Sequence, residues 1–380
     1  MPLIEIIPIT HGTLDMETFL KLPWKIQKHD PCWVPPILSE QRKLLDPARS
    51  PFFDHGEAQY FLARKDGEPA GRLSVHLNRL HDERYNDNTG FFGFFECIED
   101  SAVAAVLLEA AATWLRAPGR MRTRIVGPLG FSIYDEVGVL VKGFDRMPVI
   151  LQTHNPPWYD TILTAWGLTK AMDWYALGIY KANGILENLE GRAAQILQDT
   201  AVTMIKPVAA DVLRRAEEMR LLFNETWENN WGHVPFTKRH FHQIIYALKP
   251  LLKMELNRFI LDKNDHIVAF IINIPDFNST IKRLNGRLNL IGFIRLFCES
   301  AFNRFTKTRT LIMGVKREYQ GKNLHHAMIS DYIAFMLRHF PRVTFDDCSL
   351  IAESNKSLLR SLRPYKPEYY KTWRIYERSI

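Results

Sequence analysis

Several short stretches combine side chains able to hold an anion, meet a cation or move a proton. In "GVKREYQGKNLHHAMISDY" (residues 314–332) the apolar run from Thr310 to Val315 predicts a strand, and from Leu324 the apolar spacing becomes helical. The N–H groups opening such a helix attract phosphate, and Gln320, Gly321, Lys322 and Asn323 put a glycine and a cation in the turn. An ordinary strand-to-helix turn would look similar. Glu353 ends "CSLIAE" two residues before Asn355, where a carboxylate serves as a base or simply caps the next helix. Asp135 and Glu136 adjoin in "SIYDEVG", a wall for a cationic amine or a solvated turn. His154, ahead of Asn155-Pro156-Pro157, titrates near neutrality unless it is structural. Glu96 closes "FFGFFE"; burial would raise its pKa and suit a base, whereas an exposed strand end would not. Phe223, Trp227 and Trp231 recur every four residues, so they predict one helix face, as core or as a lid over a substrate.

The elements that must position these residues repeat. "WKIQKHDPCWVPP" (24–36) is echoed by "WENNWGHVPF" (227–236), and "FLARKDGEPAGRLSVHL" from Phe61 by "FILDKNDHIVAFIINIP" from Phe259. Both members of the second pair are apolar runs about a polar turn, hence hairpins. "THNPPWYDTILTAWGL" and "ESNKSLLRSLRPY" set Asn155 and Asn355 at the mouths of short helical patterns. Three landmarks in order, offset by about 200 residues, predict an internal repeat with its boundary around residues 181–195. Each half reads as helix, strand hairpin, strand, helix, strand, helix, an α/β layer arrangement. In the first half the fourth strand is "GFFGFFECI" and the next helix runs from about Ser101 to Arg116.

The chain has 380 residues, long enough for two domains, and 46% apolar and 24% charged residues, as in a soluble globular protein. A net charge of +7 favours an anionic partner: a nucleotide-bearing cofactor, nucleic acid or an anionic membrane surface. No dense Lys/Arg block marks a nucleic-acid arm, so nucleic acid is not expected. Cys32, Cys97, Cys298 and Cys348 lie far apart with no paired His spacing, which argues for a reducing compartment and against a metal site. The start "MPLIEIIPITHG" has no signal-peptide pattern, and no apolar stretch reaches the roughly 18 residues of a membrane span. A cytoplasmic protein is expected, including one lying on the inner membrane surface.

The order of elements, with a turn at Gln320 between strand and helix, resembles the GNAT acyltransferase fold. The resemblance implies that the turn's backbone N–H groups hold the pyrophosphate of coenzyme A. The family signature Q/R-x-x-G-x-G/A is met in "QGKNLH" by Gln320, with Gly321 and Lys322 kept, and is broken at Asn323 and His325. Asn tolerates the left-handed conformation better than most residues, whereas His325 brings a side chain where backbone usually approaches phosphate. A backbone N–H near Gly314 or Val315 would polarise the thioester carbonyl, and Asn355 would contact pantetheine. The thiolate-protonating tyrosine usual seven residues further on is Leu362 here, leaving Tyr365 as its substitute. The matching turn of the first half, "EDSAVA" (99–104), has two carboxylates and no glycine or cation; it caps its own helix and would repel a pyrophosphate.

The runs "FFGFFE", "GPLGFSIYDEVGVLVKGFD", "QTHNPPWYDTIL" and "SLIAESNKSLL" look like a group of bacterial tandem GNAT proteins similar to the bacterial ceramide synthases, which join a long acyl chain to a sphingoid amine. The resemblance implies an α/β fold of two tandem GNAT-like domains, each a mixed, mostly antiparallel sheet flanked by helices. Residues 1–185 would lack a pyrophosphate loop, and 186–380 would carry a degenerate acyl-CoA loop. The co-substrate would be acyl-CoA or an acyl-phosphopantetheine carrier, without metal. The partners would be an amine, lipid-like or small, an acyl carrier protein and the membrane surface.

Residues 288–305, "LNLIGFIRLFCESAFNRF", set Leu288, Ile291, Ile294, Cys298, Ala301 and Phe305 on one helical stripe, as core, as an acyl-chain channel or as a membrane-surface helix. The favoured function is N-acyl transfer from a thioester, with a long chain and a lipid-like amine. Acetylation of a small soluble amine, a non-catalytic thioester-binding protein, and a peptidoglycan-peptide type of tandem GNAT are the alternatives. The last is opposed by the absence of a helical arm and of a basic stripe.

Overall fold

The computed structural model describes residues 3–181, 188–249 and 251–380. From the N-terminus come β1 (Ile4–Ile9), α1 (Leu14–Gln27), α2 (Leu38–Leu45), β2 (Gly56–Lys65), β3 (Glu68–Asn78) and α3 (Arg79–Tyr85). Then follow β4 (Thr89–Cys97), α4 (Ser101–Arg116), β5 (Arg124–Gly127), β6 (Val139–Lys142), α5 (Tyr159–Ala165) and β7 (Thr169–Tyr180). The chain continues with α6 (Leu189–Thr200), β8 (Thr203–Ile205), α7 (Ala209–Arg214), α8 (Ala216–Trp227), α9 (Lys238–Leu248), β9 (Arg258–Leu261) and β10 (Ile267–Pro275). It ends with α10 (Asn278–Leu284), α11 (Leu290–Ala301), β11 (Lys307–Val315), α12 (Leu324–His339), β12 (Phe345–Ala352), α13 (Lys356–Ser361) and β13 (Glu368–Ser379).

These elements form two compact units. Unit 1 comprises Met1–Trp174, Asn278–Gly292 and Lys371–Ile380; unit 2 comprises Tyr175–Phe277 and Phe293–Tyr370. The expected boundary at 185/186 lies outside the described residues. Strands β7 and β13 each contribute residues to both units.

In unit 1 the strand order is β1-β2-β3-β4-β5-β13-β7, with β6 beside β13. The pairs are antiparallel from β1 to β4, parallel at β4/β5 and antiparallel at β5/β13. The hairpin β2–β3 turns at Asp66 and Gly67, both with positive φ, as "KDG" predicts. Helix α4 buries Val103, Ala104, Leu107, Leu108, Ala111 and Leu115, spaced three and four apart, on this sheet. Each large side chain so buried contributes about 1.5–3 kcal/mol.

Unit 2 orders its strands β8-β9-β10-β11-β12, followed by the second part of β7. Strand β10 is buried along its whole length, as the unbroken apolar run "IVAFIINIP" requires of a central strand. Helix α12 buries Leu324, Ala327, Met328, Tyr332, Ile333 and Met336.

Two expectations about helical faces change. Helix α8 ends at Trp227, so Trp231 lies in the following loop and not on its face; Phe223 and Trp227 do stack, with centroids 4.9 Å apart. In the 288–305 segment Phe305 is buried, but Gly292 is the one buried residue of α11, which removes the core reading for that helix.

Candidate active site

Unit 2 contains an opening between two parallel strands. Strands β11 and β12 pair only over Lys307–Thr310 with Phe345–Cys348. Beyond this the side chains of Leu311, Ile312 and Met313 are half-buried. The N–H of Lys316 donates to the Val268 carbonyl at 2.8 Å. Strand alternation then turns the N–H groups of Met313 and Val315 away from β10, towards the opening. Gly314 serves packing instead. A Cβ there would sit 2.8 Å from Thr226 Oγ1 and 3.1 Å from the Phe270 ring, so its lack of a side chain lets α8 pack on the strand.

The base of the opening is fixed by a polar network that the sequence pattern did not disclose. Adjacent strand residues point to opposite faces, so Asp346 and Asp347 serve two different clusters. Asp346 accepts from Thr308 Oγ1 (2.6 Å), Tyr332 OH (2.9 Å) and Thr310 Oγ1 (3.0 Å). Asp347, fully buried, accepts from Tyr370 OH at 2.7 Å and from Ser349 Oγ, and lies 3.6 Å from Arg309 Nε. Burial pushes its pKa up to about 6. The signal was present: two adjacent acids in a strand whose other residues, Ser349 apart, are apolar.

After β11 a 3-10 turn, Arg317–Tyr319, leads to Gly321 at φ +80° and Asn323 at φ +61°. Helix α12 begins at Leu324, whose side chain is buried. Asn323 makes no side-chain cap, and among the described residues the N–H groups of Gly321, Asn323, Leu324 and His325 have no acceptor. A Cβ at Gly321 would meet nothing within 4 Å, so the turn is open there. Lys316 pairs with Glu318 at 2.6 Å and Arg317 with Glu228, whereas Lys322 lies over the Tyr319 ring at 4.6 Å. The His325 and His326 rings lie 4.1 Å apart, tilted by 39°; burial lowers the pKa of both, His325 to about 4, so both are neutral at pH 7.

The start of α4 in unit 1 is built the other way. Asp100 accepts from the N–H groups of Ala102 (2.8 Å) and Val103 (3.3 Å) and from Lys65 Nζ (2.5 Å). Its own carboxylate takes the donors an external anion would use. The opening beyond β4 and β5, which pair over Thr89–Phe91 and Arg124–Val126, is also filled by the chain itself. Leu129 N–H donates to Phe92 O at 2.8 Å, a Cβ on Gly93 would collide with Leu129 O, and Phe131 stacks on Phe52 at 4.0 Å.

The remaining sequence candidates divide between the units. In unit 2, Glu353 follows β12, and Tyr175 OH donates to its Oε2 at 3.5 Å. Asn355 caps α13 through Leu358 N–H (3.1 Å) and donates to Asn230 Oδ1 at 3.1 Å. Tyr365 is buried; its hydroxyl lies 3.2 Å from His326 Nδ1, and burial raises its pKa.

In unit 1, Glu96 accepts from Tyr159 OH (2.7 Å) and from Gln27 Nε2 on both oxygens (3.0 Å), with Arg72 at 4.0 Å. Burial raises the pKa of Glu96 against the lowering by Arg72. Asp135 and Glu136 lie between β5 and β6, pushed up by burial to about 6 and about 7. Glu136 is therefore about half ionised at neutral pH. His154 meets Asp30 at 2.9 Å, and burial lowers its pKa, so it is buried and neutral at pH 7.

The fold and the opening define a class, GNAT proteins with two such domains in one chain. A tandem GNAT protein from the clavulanic acid biosynthesis pathway superposes with a TM-score of 0.55 at 12% identity, covering 99% of this chain and 98% of that one. The GCN5-related N-acetyltransferase from Sphaerobacter thermophilus gives 0.53 at 12% identity, covering 99% and 95%.

Among curated sequences, the bacterial ceramide synthase of Caulobacter vibrioides is 30% identical over 387 residues, 99% of this chain and 98% of that protein. Protein YghO of Escherichia coli K12 is 32% identical over 371 residues, 96% and 93%. The chain belongs to the tandem GNAT acyltransferase family that includes this ceramide synthase. No protein-family model matches it. No helix among the described residues is long and apolar enough to cross a membrane.

Proposed function

We propose that the protein transfers a long-chain acyl group from a phosphopantetheine thioester to a sphingoid-type amine, the reaction its Caulobacter relative is named for. The observation that carries this is the contrast between the two units. Unit 2 has open strand edges and, among the described residues, four unpaired N–H groups beside Lys322, whereas unit 1 fills the same two places with Leu129, Phe131 and Asp100.

In this reading the loop from Gln320 to His325 holds the pantetheine 4'-phosphate that coenzyme A and an acyl carrier's arm have in common. The thioester lies along β11, its carbonyl oxygen receiving the Val315 N–H. Glu353 takes a proton from the ammonium, the free amine attacks the carbonyl carbon, and the C–S bond breaks as the nitrogen gives up its second proton to solvent and the amide forms. Tyr365, un-ionised at neutral pH, gives its proton to the departing thiolate; solvent exchange resets both groups. Glu96, with both oxygens already accepting, acts as a buttress of unit 1 rather than as the base. Trp231 offers an aromatic surface in the loop after α8.

The test is transfer to sphinganine from palmitoyl-CoA, a palmitoyl carrier protein or acetyl-CoA, with amide products read by mass spectrometry. Long-chain amide from either palmitoyl donor is expected. Acetyl transfer alone would overturn the long-chain assignment, and no amide from any donor would overturn acyl transfer to this amine.

A further inference from the structure

Helix α11 differs from the other long helices among the described residues, since Gly292 is its one buried residue. It is properly started, Asn289 Oδ1 accepting from Gly292 N–H at 2.8 Å, and Gly292 packs so closely on Leu284 that a Cβ would approach within 2.7 Å. Its far end is held by Lys253 Nζ, which donates to Ser300 O at 3.3 Å, and by the buried Phe305. Between these anchors Leu290, Ile291, Phe293, Ile294, Phe297 and Phe302 each leave 50–74% of their surface open. A folded, capped helix carrying five large bare apolar side chains, with Phe302 directly after it, is built to be covered.

The charge around it selects the cover. Residues 282–307 hold six cations (Lys282, Arg283, Arg287, Arg295, Arg304 and Lys307) against Glu299 alone. Arg287, Arg295 and Arg304, before, within and after the helix, are exposed, and among the described residues none has an ion-pair partner. A second copy of the same face would set two surfaces of like net charge against each other, with Glu299 as the one carboxylate of residues 282–307 to offset the arginines. An anionic bilayer surface satisfies both features at once: acyl chains take the Phe, Ile and Leu side chains, and acidic headgroups take the guanidinium groups.

We propose that α11 is a membrane-surface helix that seats the protein on anionic lipid. The proposal rests on α11 and its flanks and is independent of the acyl-transfer reading.

The test is co-sedimentation of the full chain with phosphatidylcholine vesicles, with and without phosphatidylglycerol. Phe293→Ser/Phe297→Ser and Arg287→Glu/Arg295→Glu are compared with the unaltered protein, with melting temperature and light scattering alongside. Expected results are binding to the phosphatidylglycerol vesicles that weakens with salt, loss of binding by about tenfold or more in each double variant, and unchanged melting temperatures. Absence of vesicle binding overturns the proposal, as does binding that neither double variant reduces. Loss in the Phe pair with none in the Arg pair overturns the anionic assignment. A solution dimer that the Phe pair dissociates assigns the face to a second copy instead.

Discussion

At the scale of single residues, two side chains separate backbone need from chemistry. Asn323 sits at φ +61° with an idle side chain, so Asn323→Gly should keep coenzyme A binding within about twofold of the unaltered protein. Asn323→Val should weaken it by roughly tenfold, because a β-branched residue in that conformation costs about 1–2 kcal/mol. Calorimetric titration reads both, and a loss in the glycine variant would show that the amide itself contacts the ligand. Glu136 tests burial. Its folded pKa, about 7, lies above the ordinary 4.5, so the protonated form is favoured in the folded state. The stability it contributes is full below about pH 4.5 and is lost as pH rises through about 7. Glu136→Gln should therefore raise the melting temperature by a few degrees at pH 8 and leave it nearly unchanged at pH 4.5. Equal shifts at both values would mean the carboxyl is not desolvated.

At the scale of elements, the two helix starts should respond oppositely to charge. Lys322→Glu places a carboxylate beside the free N–H groups of α12 and should weaken coenzyme A binding by roughly tenfold. Asp100→Lys disturbs a start whose donors are already taken, so it should leave binding unchanged and lower stability by about 1 kcal/mol through the lost cap. Loss of binding in the Asp100 variant alone would reverse the assignment of the units. These starts were legible in sequence: "EDSAVA" announces a self-capping acid, and "QGKNLH" a glycine, a cation and a residue at ease in the left-handed region. The span of α4, Ser101–Arg116, was equally legible because its apolar spacing is strong. What could not be read were the tertiary facts. No local pattern tells that α8 stops before Trp231, that α11 is bare, or that the Tyr365 hydroxyl meets His326. The acids of "FDDCS" were visible, but their partners Tyr332, Arg309 and Tyr370 come from three separate segments.

At the scale of the whole molecule, the repeat predicts two consecutive halves, and the compact units take non-consecutive pieces of chain. Unit 1 includes Lys371–Ile380, and within it Trp373, Ile375 and Tyr376 are almost entirely buried. Trp373 Nε1 donates to Thr153 O at 3.2 Å, and Arg374 meets Asp173 through bonds of 2.8 and 3.0 Å. The same strand covers the edge of β5, pairing Tyr376 with Gly127 and Ser379 with Arg124. Removing residues 371–380 deletes three large core side chains worth about 1.5–3 kcal/mol each, leaves Asp173 without Arg374 and exposes the β5 edge. That sum is comparable with the roughly 5–15 kcal/mol that holds a whole domain together. The truncated chain should therefore lose unit 1 first. Hydrogen exchange should show β2, β3 and β4 unprotected while β10 and α12 keep their protection. A fragment of residues 1–185 should fail for the same reason, and adding a peptide of residues 368–380 should restore part of its protection. Native-like protection of β2 to β4 in either shortened chain, without the peptide, would show that the first half folds by itself and that the final strand is an accessory.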